Sequence, residues 1–424
     1  MTRTDPPTRQ AVETVFRFER ARLIAGLARL TRDVGRAEDL AQDALLAALT
    51  HWPRTGVPDD PRAWLMAVAR RRALDGFRHD AMAKGRHGEI ARAAGAADPD
   101  PAEALDAALD DDIGDEMLGL IFTACHPVLT PEARAALTLR LIGGLTTAEI
   151  ARAFLTSEAA IAQRIVRAKK ALRASGHPYA IPRGPARHAR LGSVLEVVYL
   201  IFNEGYAATA GSDPVRPALC AEALRLGRVL AGLMADEPEI HGLLALMELQ
   251  DSRLRARAGP DGALLTLAGQ DRSRWDRLGI GRGLAALDRA VSLGGADGVY
   301  ALQAGIAACH GRARRWDETD WPRIAGLYDR LAVVRPDPVV ALNRAVAHSM
   351  AFGPEAGLVL IAAIEGAPAL ERYAPLPAAK GDFLLRAGRK VEARVCFERA
   401  AALAGNGAER DFLLGRAAEC GQGA

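Results

Sequence analysis

TTAEIARAFLTSEAAIAQRIVRAKKALR, residues 146–173, decides how this chain is read. It divides into two short helices around a tight turn, the helix-turn-helix layout that sets a second helix into the DNA major groove. Thr146 and Glu149 stand at capping-box spacing and start the first helix, in which Ile150, Ala151 and Phe154 are expected to face inward. Leu155, Thr156 and Ser157 supply the turn and the next N-cap. In the second helix Ile161, Ile165, Ala168 and Leu172 recur at helical spacing as a core stripe. Gln163, Arg164, Arg167 and Lys170 fall on the other side, free to meet phosphates and base edges. An ordinary helical hairpin with a solvated basic face carries the same pattern. The stretches upstream separate the two readings.

Residues 36–49, RAEDLAQDALLAAL, predict a strongly amphipathic helix. Ala37, Leu40, Ala41, Ala44, Leu45, Ala48 and Leu49 form its buried stripe. Glu38, Asp39, Gln42 and Asp43 lie on the exposed side, either as plain solvated surface or as a docking face for a basic partner helix. Residues 61–78, PRAWLMAVARRRALDGFR, predict another helix, with Pro61 suited to its first turn. Trp64, Leu65, Val68 and Ala69 pack inward. Arg70, Arg71, Arg72 and Arg78 crowd the remainder, where an exposed arginine neutralises phosphate, reads guanine edges or stacks on unpaired bases. Three consecutive arginines cannot face one way, so Arg72 is expected at the core boundary, paired with an acidic side chain.

The whole chain supports a helical protein. Half of its 424 residues are hydrophobic but only 5% are aromatic, and β-branched runs are scarce, which predicts an all-α fold. A net charge of +3 confines any DNA binding to local patches. The five cysteines are scattered with no CxxC pair, which argues against a disulfide framework or a zinc site. No metal or cofactor is expected. Met1–Gln10 is polar and contains Pro6-Pro7, unlike a signal peptide, and the longest apolar run, Val194–Phe202, is short and broken by Glu196. A cytoplasmic protein without a membrane partner is expected.

Four segments follow from composition. Residues 11–79 form a helical block. Residues 80–114 hold nine acidic residues against three Lys or Arg, with Pro99 and Pro101 near the centre, and read as an acidic linker. Residues 115–176 form the helix-turn-helix block, closed by Gly176, Pro178, Pro182, Gly184 and Pro185. Residues 190–424 are helical again. Within them 378–403 fit a tetratricopeptide-type helical hairpin, with Gly381, Leu384, Ala393, Phe397 and Ala400 at its packing positions. Tyr328 and Phe397 stand 69 residues apart, close to twice the ~34-residue period of such repeats. Stacked repeats bury what one repeat cannot, so a solenoid is expected, against the alternative of an irregular helical domain ending in one hairpin.

Together these stretches resemble the extracytoplasmic-function group of bacterial RNA polymerase sigma factors. GRAEDLAQDAL (35–45) resembles that family's core-polymerase-binding helix, WLMAVARRRALDGFR (64–78) its −10 helix, and LTTAEIARAFLTSEAAIAQRIVRAKKALR (145–173) its −35 helix-turn-helix, in the family's order. VVYLIFNEGYAAT (197–209), QDRSRWD (270–276), LQAGIAACH (302–310), TDWPRIAGLYDRL (319–331) and ALNRAVA (341–347) resemble blocks of a subgroup with a TPR-like extension. Arg71 stands where many members have Asn, and Ala160 where many have Thr.

The resemblance implies a dissociable specificity subunit that performs no covalent chemistry. Glu38, Asp39, Gln42 and Asp43 would grip core RNA polymerase. Arg70, Arg71 and Arg78, with loop 51–60, would bind the −10 element of promoter DNA. Gln163, Arg164 and Arg167 would read the −35 element, with Ser157 and Lys170 positioning phosphates. The acidic linker is either a phosphate mimic for a polymerase channel or a tether. The C-terminal helical domain would regulate activity or bind a protein partner. Phe202-Asn203-Glu204-Gly205-Tyr206 reads as an interdomain contact or as a polar kink at a helix end. The alternative is a helix-turn-helix regulator on a TPR scaffold that acts without core polymerase. No P-loop, GxSxG, HExxH or dinucleotide fingerprint stands in a supporting context, so an enzyme is not expected.

Overall fold

The computed structural model describes residues 6–85, 113–154, 156–176, 179, 181–182, 185–206, 216–257, 265–404 and 407–421. These residues form eighteen α-helices and four short 3-10 segments, with no strand among them. The all-α class follows from a chain rich in residues that lose little on entering a helix. The helices fall into two compact units, Met1–Leu233 and Met234–Ala424.

The first unit opens with α1 (Pro6–Thr31), α2 (Val34–Thr55) and α3 (Pro61–Gly85), which pack on one another. Its second half contains α4 (Ile113–Ala124), α5 (Pro131–Leu141), α6 (Thr147–Ala153) and α7 (Glu158–Ala174). Two further helices, α8 (Pro185–Tyr206) and α9 (Pro217–Leu233), complete it. Helix α4 packs against α1 and joins the two halves, while α8 lies on both α4 and α5. Leu23, Ile24, Leu27, Trp52 and Leu65 are fully buried in the first half, and Phe122, Leu137, Leu139 and Phe202 in the second. Each such side chain contributes roughly 1.5–3 kcal/mol of burial. The composition boundary near residue 190 thus falls inside a packed unit, because α8 and α9 bury their apolar faces on the helix-turn-helix block.

The second unit runs through α10 (Pro238–Asp251), α11 (Arg277–Ser292), α12 (Val299–Arg312), α13 (Trp321–Val334), α14 (Pro338–Phe352), α15 (Pro354–Ala362), α16 (Pro375–Arg386), α17 (Lys390–Leu403) and α18 (Gly407–Glu419). Most helices pack mainly on their chain neighbours, while α12 packs most closely on α10. Leu384, Ala393, Phe397 and Ala400 are buried with Leu413 and Ala417 of α18. A Cβ at Gly381 would lie 3.0 Å from the Phe397 ring, so the α16–α17 crossing depends on that glycine.

Two stretches far apart in sequence, 272–275 and 310–321, converge in this unit. The buried Arg272 donates to His310 O at 3.1 Å, Ala313 O at 3.0 Å and Thr319 Oγ1 at 3.1 Å. Its guanidinium lies over the rings of Trp275 and Trp316, 5.0 and 5.8 Å from their centroids. His310 stacks on Trp316, and Trp321 meets both rings edge-on. Desolvation, reinforced by Arg253 and Arg272, pulls His310 down to about 3, so its imidazole is neutral at physiological pH.

Candidate nucleic-acid interface

The helix-turn-helix is set by local bonds. Thr146 Oγ1 accepts from Glu149 N at 3.1 Å, and Glu149 Oε2 accepts from Thr146 N at 2.7 Å, a complete capping box. The Ser157 hydroxyl accepts from Ala160 N at 3.2 Å and starts α7, so this hydroxyl holds the helix terminus as well as facing solvent. Ile161, Ile165, Ala168 and Leu172 are all buried. Phe154, expected inward, is only half-buried at the end of α6.

Gln163, Arg167 and Lys170 are exposed on the opposite side of α7, and Arg164 is half-buried beside them. Arg167 donates to Gln163 Oε1 at 3.3 Å one helical turn away. Val166, 63% exposed, lies on the same stripe as Gln163 and Lys170. Its place among polar readers was the missed signal, since apolar side chains recognise thymine methyl groups.

Helix α2 departs from its sequence reading at one important residue. Asp33 caps it, accepting from Gly35 N at 2.8 Å and Arg36 N at 3.3 Å. Ala37, Leu40, Ala41, Ala44 and Ala48 are buried as expected, while Leu45 and Leu49 are half-buried. Asp39 is exposed, and Gln42 and Asp43 are half-buried. Glu38, expected on the exposed side, is only 4% exposed. Its Oε1 accepts from Arg20 Nη2 and Arg140 Nε, both at 2.7 Å, and its Oε2 from Lys169 Nζ at 2.6 Å. The cause is tertiary: the Lys169 and Arg173 side chains of α7 reach this end of α2, with Lys169 Cδ within 3.6 Å of where a Cβ on Gly35 would stand. Burial would push the Glu38 carboxyl up, but Lys169, Arg140 and Arg20 outweigh it and hold the group below the ordinary carboxylate range. A second pair, Arg173 to Asp33, closes the same junction.

On α3, Arg70 is half-buried and Arg71 exposed, while the Arg78 side chain lies outside the described residues. Arg72 is exposed rather than at the core boundary, yet it pairs with Asp43 at 3.2 Å as anticipated. Such a surface pair is worth at most ~1 kcal/mol. The 51–60 loop is shorter than expected: α2 continues through Pro53 to Thr55, leaving Gly56–Asp60 as the connection. The exposed His51 stacks on Trp64 at 5.7 Å, and Trp52 meets Trp64 edge-on at 5.4 Å. Trp64 and Val68 are half-buried instead of fully inward. Most of the acidic linker, including Asp110–Asp112, lies outside the described residues.

Among the described residues no group of three or more His, Cys, Asp or Glu could hold a metal ion, and no helix is long and apolar enough to cross a membrane. Burial pushes the Cys125 thiol up to about 11, so it stays protonated beside Thr138.

Comparison with known proteins gives these surfaces their context. Residues 17–81 match sigma-70 region 2 and residues 120–172 match sigma-70 region 4. Residues 190–291 match a family of unknown function. The chain is 41% identical over 395 residues to an uncharacterised protein of Rhizobium meliloti (strain 1021), covering 93% of this chain and 92% of that one. It is 32% identical over 149 residues to the ECF RNA polymerase sigma factor SigK of Mycobacterium ulcerans (strain Agy99), covering 35% of this chain and 75% of the relative. No solved structure matches. Sigma-70 proteins are transcription factors and not enzymes, and regions 2 and 4 imply core RNA polymerase and promoter DNA as partners. The chain belongs to the extracytoplasmic-function group of the sigma-70 family, as an alternative sigma factor for transcription initiation.

Proposed function

We propose that α7 reads the −35 element with Gln163, Arg164 and Arg167, assisted by Val166, while Ser157 and Lys170 position phosphates. The carrying observation is that a single helix, capped by Ser157 and buried along one stripe, exposes Gln163, Val166, Arg167 and Lys170 on its other side, with half-buried Arg164 flanking them. Helix α3, through Arg70, Arg71 and Arg78, meets the −10 element, with Gly56–Asp60 and the His51–Trp64 stack offering a platform for an unpaired base. Asp39, Gln42 and Asp43 dock core polymerase, and Glu38 joins them once α2 parts from α7. The corresponding domains are 11–79 and 115–176, tethered by 80–114, and the protein works in the cytoplasm.

Residues 190–424 add a helical, TPR-like scaffold that regulates activity or binds a protein partner. A 420 Å³ cleft lined by Leu376, Pro377, Lys380, Val395, Cys396 and Arg399 supports this reading. So do Val391 and Val395, 81% and 60% exposed on α17.

The test is holoenzyme reconstitution with core polymerase on a promoter library randomised in the −35 element. Arg164→Ala is expected to reorder the preferred −35 sequences, with ~1–3 kcal/mol of discrimination lost at one position. A uniform drop on every sequence would make Arg164 a phosphate anchor instead. Double-stranded promoter binding by the chain without core polymerase would favour a self-sufficient regulator.

A further inference from the structure

The helices that follow the helix-turn-helix make bonds to it that give them a task. Helix α6 has seven residues, too few to hold itself in water. Its first turn is closed by the Thr146–Glu149 box. Its last carbonyl, Ala153 O, accepts from the Arg216 guanidinium, which also pairs with Glu204 near the end of α8. The side chains of Arg216 and Glu204 are only 13% and 11% exposed. Arg216 is fastened through its backbone too, its N–H donating to Gly205 O at 2.6 Å. A Cβ at Gly205 would stand 2.7 Å from Cys220 N and 2.8 Å from Cys220 Sγ, so the start of α9 can approach the end of α8 this closely only at a glycine.

Other carbonyls at helix ends in this block are held in the same way. Arg190 donates to Phe122 O at 2.5 Å and Ser193 Oγ to Cys125 O at 2.7 Å, both at the end of α4. Arg225 donates to Ile142 O, the C-cap of α5, at 2.9 Å. Helix C-termini leave carbonyls unsatisfied and favour cations, so α8 and α9 supply what the block lacks by itself.

We infer that Arg216, held by Glu204, is a positioning residue for −35 recognition, and that α8–α9 brace the promoter-reading domain. Ala153 directly precedes the turn, where Phe154 N and Thr156 N donate to Ile150 O and Ala151 O, each at 3.0 Å. The end of α6 therefore sets the angle at which α7 leaves. From Ser157 to Lys170 is about 20 Å of helix, so a tilt of about 10° moves the far end by roughly 3 Å, a full hydrogen-bond length. The start of the family of unknown function thereby acquires a role in promoter choice.

This inference rests on α7 being the −35 reader, and the experiment separates the two. Full-length chains carrying Arg216→Ala, Arg216→Lys, Glu204→Gln or Arg164→Ala are assembled with core polymerase and assayed on the −35 library. Arg216→Ala is expected to compress the gap between the best −35 sequence and single mismatches by about tenfold. Core affinity is expected to change less than the −35 preference, because Arg216 touches α6 and α8 and not the exposed Asp39 on α2. Arg216→Lys keeps a cation near Ala153 O and retains part of the preference, and Glu204→Gln gives a smaller compression. Amide exchange is expected to speed up at Phe154 and Thr156 in Arg216→Ala but not along α2. An unchanged ranking, or an equal loss on all sequences, in Arg216→Ala and Glu204→Gln overturns the brace if Arg164→Ala reorders the library. An Arg164→Ala chain that changes neither the ranking nor the overall activity overturns the reading of α7 itself, whereas a uniform drop makes Arg164 a phosphate anchor. If Arg216→Ala does not fold, Glu204→Gln decides, and an unaltered ranking counts against the inference.

Discussion

Glu38 stands among three cations drawn from α1, α5 and α7, and this excess defines what its removal does. Taking away one partner of a buried ion pair typically costs ~3–5 kcal/mol, because the remaining charges stay buried and unpaired. Glu38→Ala is expected to lower the urea midpoint of the first unit and to increase the distance between probes on α3 and α7, read by energy transfer. A midpoint within the range of an ordinary surface substitution, about 0.5 kcal/mol, would show that the cluster carries little. Asp39→Lys, at an exposed position, should leave stability alone and weaken core binding. The pH response follows from the sign of the Glu38 shift. Its folded-state pKa is depressed, so its contribution is present above the ordinary carboxylate pKa and is lost as pH falls through the lowered folded value. His310 acts in the same direction by a different route. The unfolded chain binds a proton near 6.5 that the folded imidazole refuses until about 3. Stability of the second unit should therefore decline by up to ~1.4 kcal/mol per pH unit across that window. Urea unfolding at pH 7 and pH 5, with His310→Gln as the proton-free reference, measures it. A wild-type loss no larger than that of His310→Gln would remove His310 from the account.

Among the helices, α6 and α7 were the most legible. A capping box, an N-cap serine and a stripe at helical spacing depend on residues within a few positions of one another, and Thr146, Ser157 and Ile161–Leu172 all took the local structure their spacing predicted. Thr146→Ala should cost ~0.5–2 kcal/mol of the block's stability and fray α6 first, detectable as early amide exchange at Ile150. Helix α2 was less legible at its end. Pro53 reads as a loop residue, yet the buried Trp52 anchors the last turn and Gly56 N donates to Trp52 O at 2.9 Å. Arg72 illustrates the same point: its partner Asp43 was anticipated in kind, but its exposure depended on what packs over α3.

For the molecule as a whole, the packing of region 2 against region 4 has a geometric consequence. Promoter elements at −10 and −35 lie about 25 base pairs apart, on the order of 85 Å along B-DNA, whereas α2 and α7 are in contact here. On the proposed reading, with α3 at the −10 element and α7 at the −35 element, the two regions would separate to engage both, and the Glu38 cluster would be the junction that opens. Packing also decides where the chain can be cut. A fragment ending near residue 185 loses the apolar residues of α8 that cover α4 and α5, and leaves Arg134 without Ser193 and Glu196. It is expected to melt lower and to aggregate, while a fragment ending at Leu233 retains the first unit. Equal melting temperatures for the two fragments would contradict the role given to α8 and α9.

The sequence alone determined the helical class, the helix-turn-helix with its buried stripe and basic side, and the order of the motifs. These depend on periodicity, capping and composition, which act over a few residues. Only the tertiary structure decided that Glu38 is buried, since its partners Arg140 and Lys169 lie 102 and 131 positions away. It alone decided that Arg216 reaches Ala153 across 63 residues. Charged side chains at that separation have no local signal, and what they do follows from which helix faces the fold brings together.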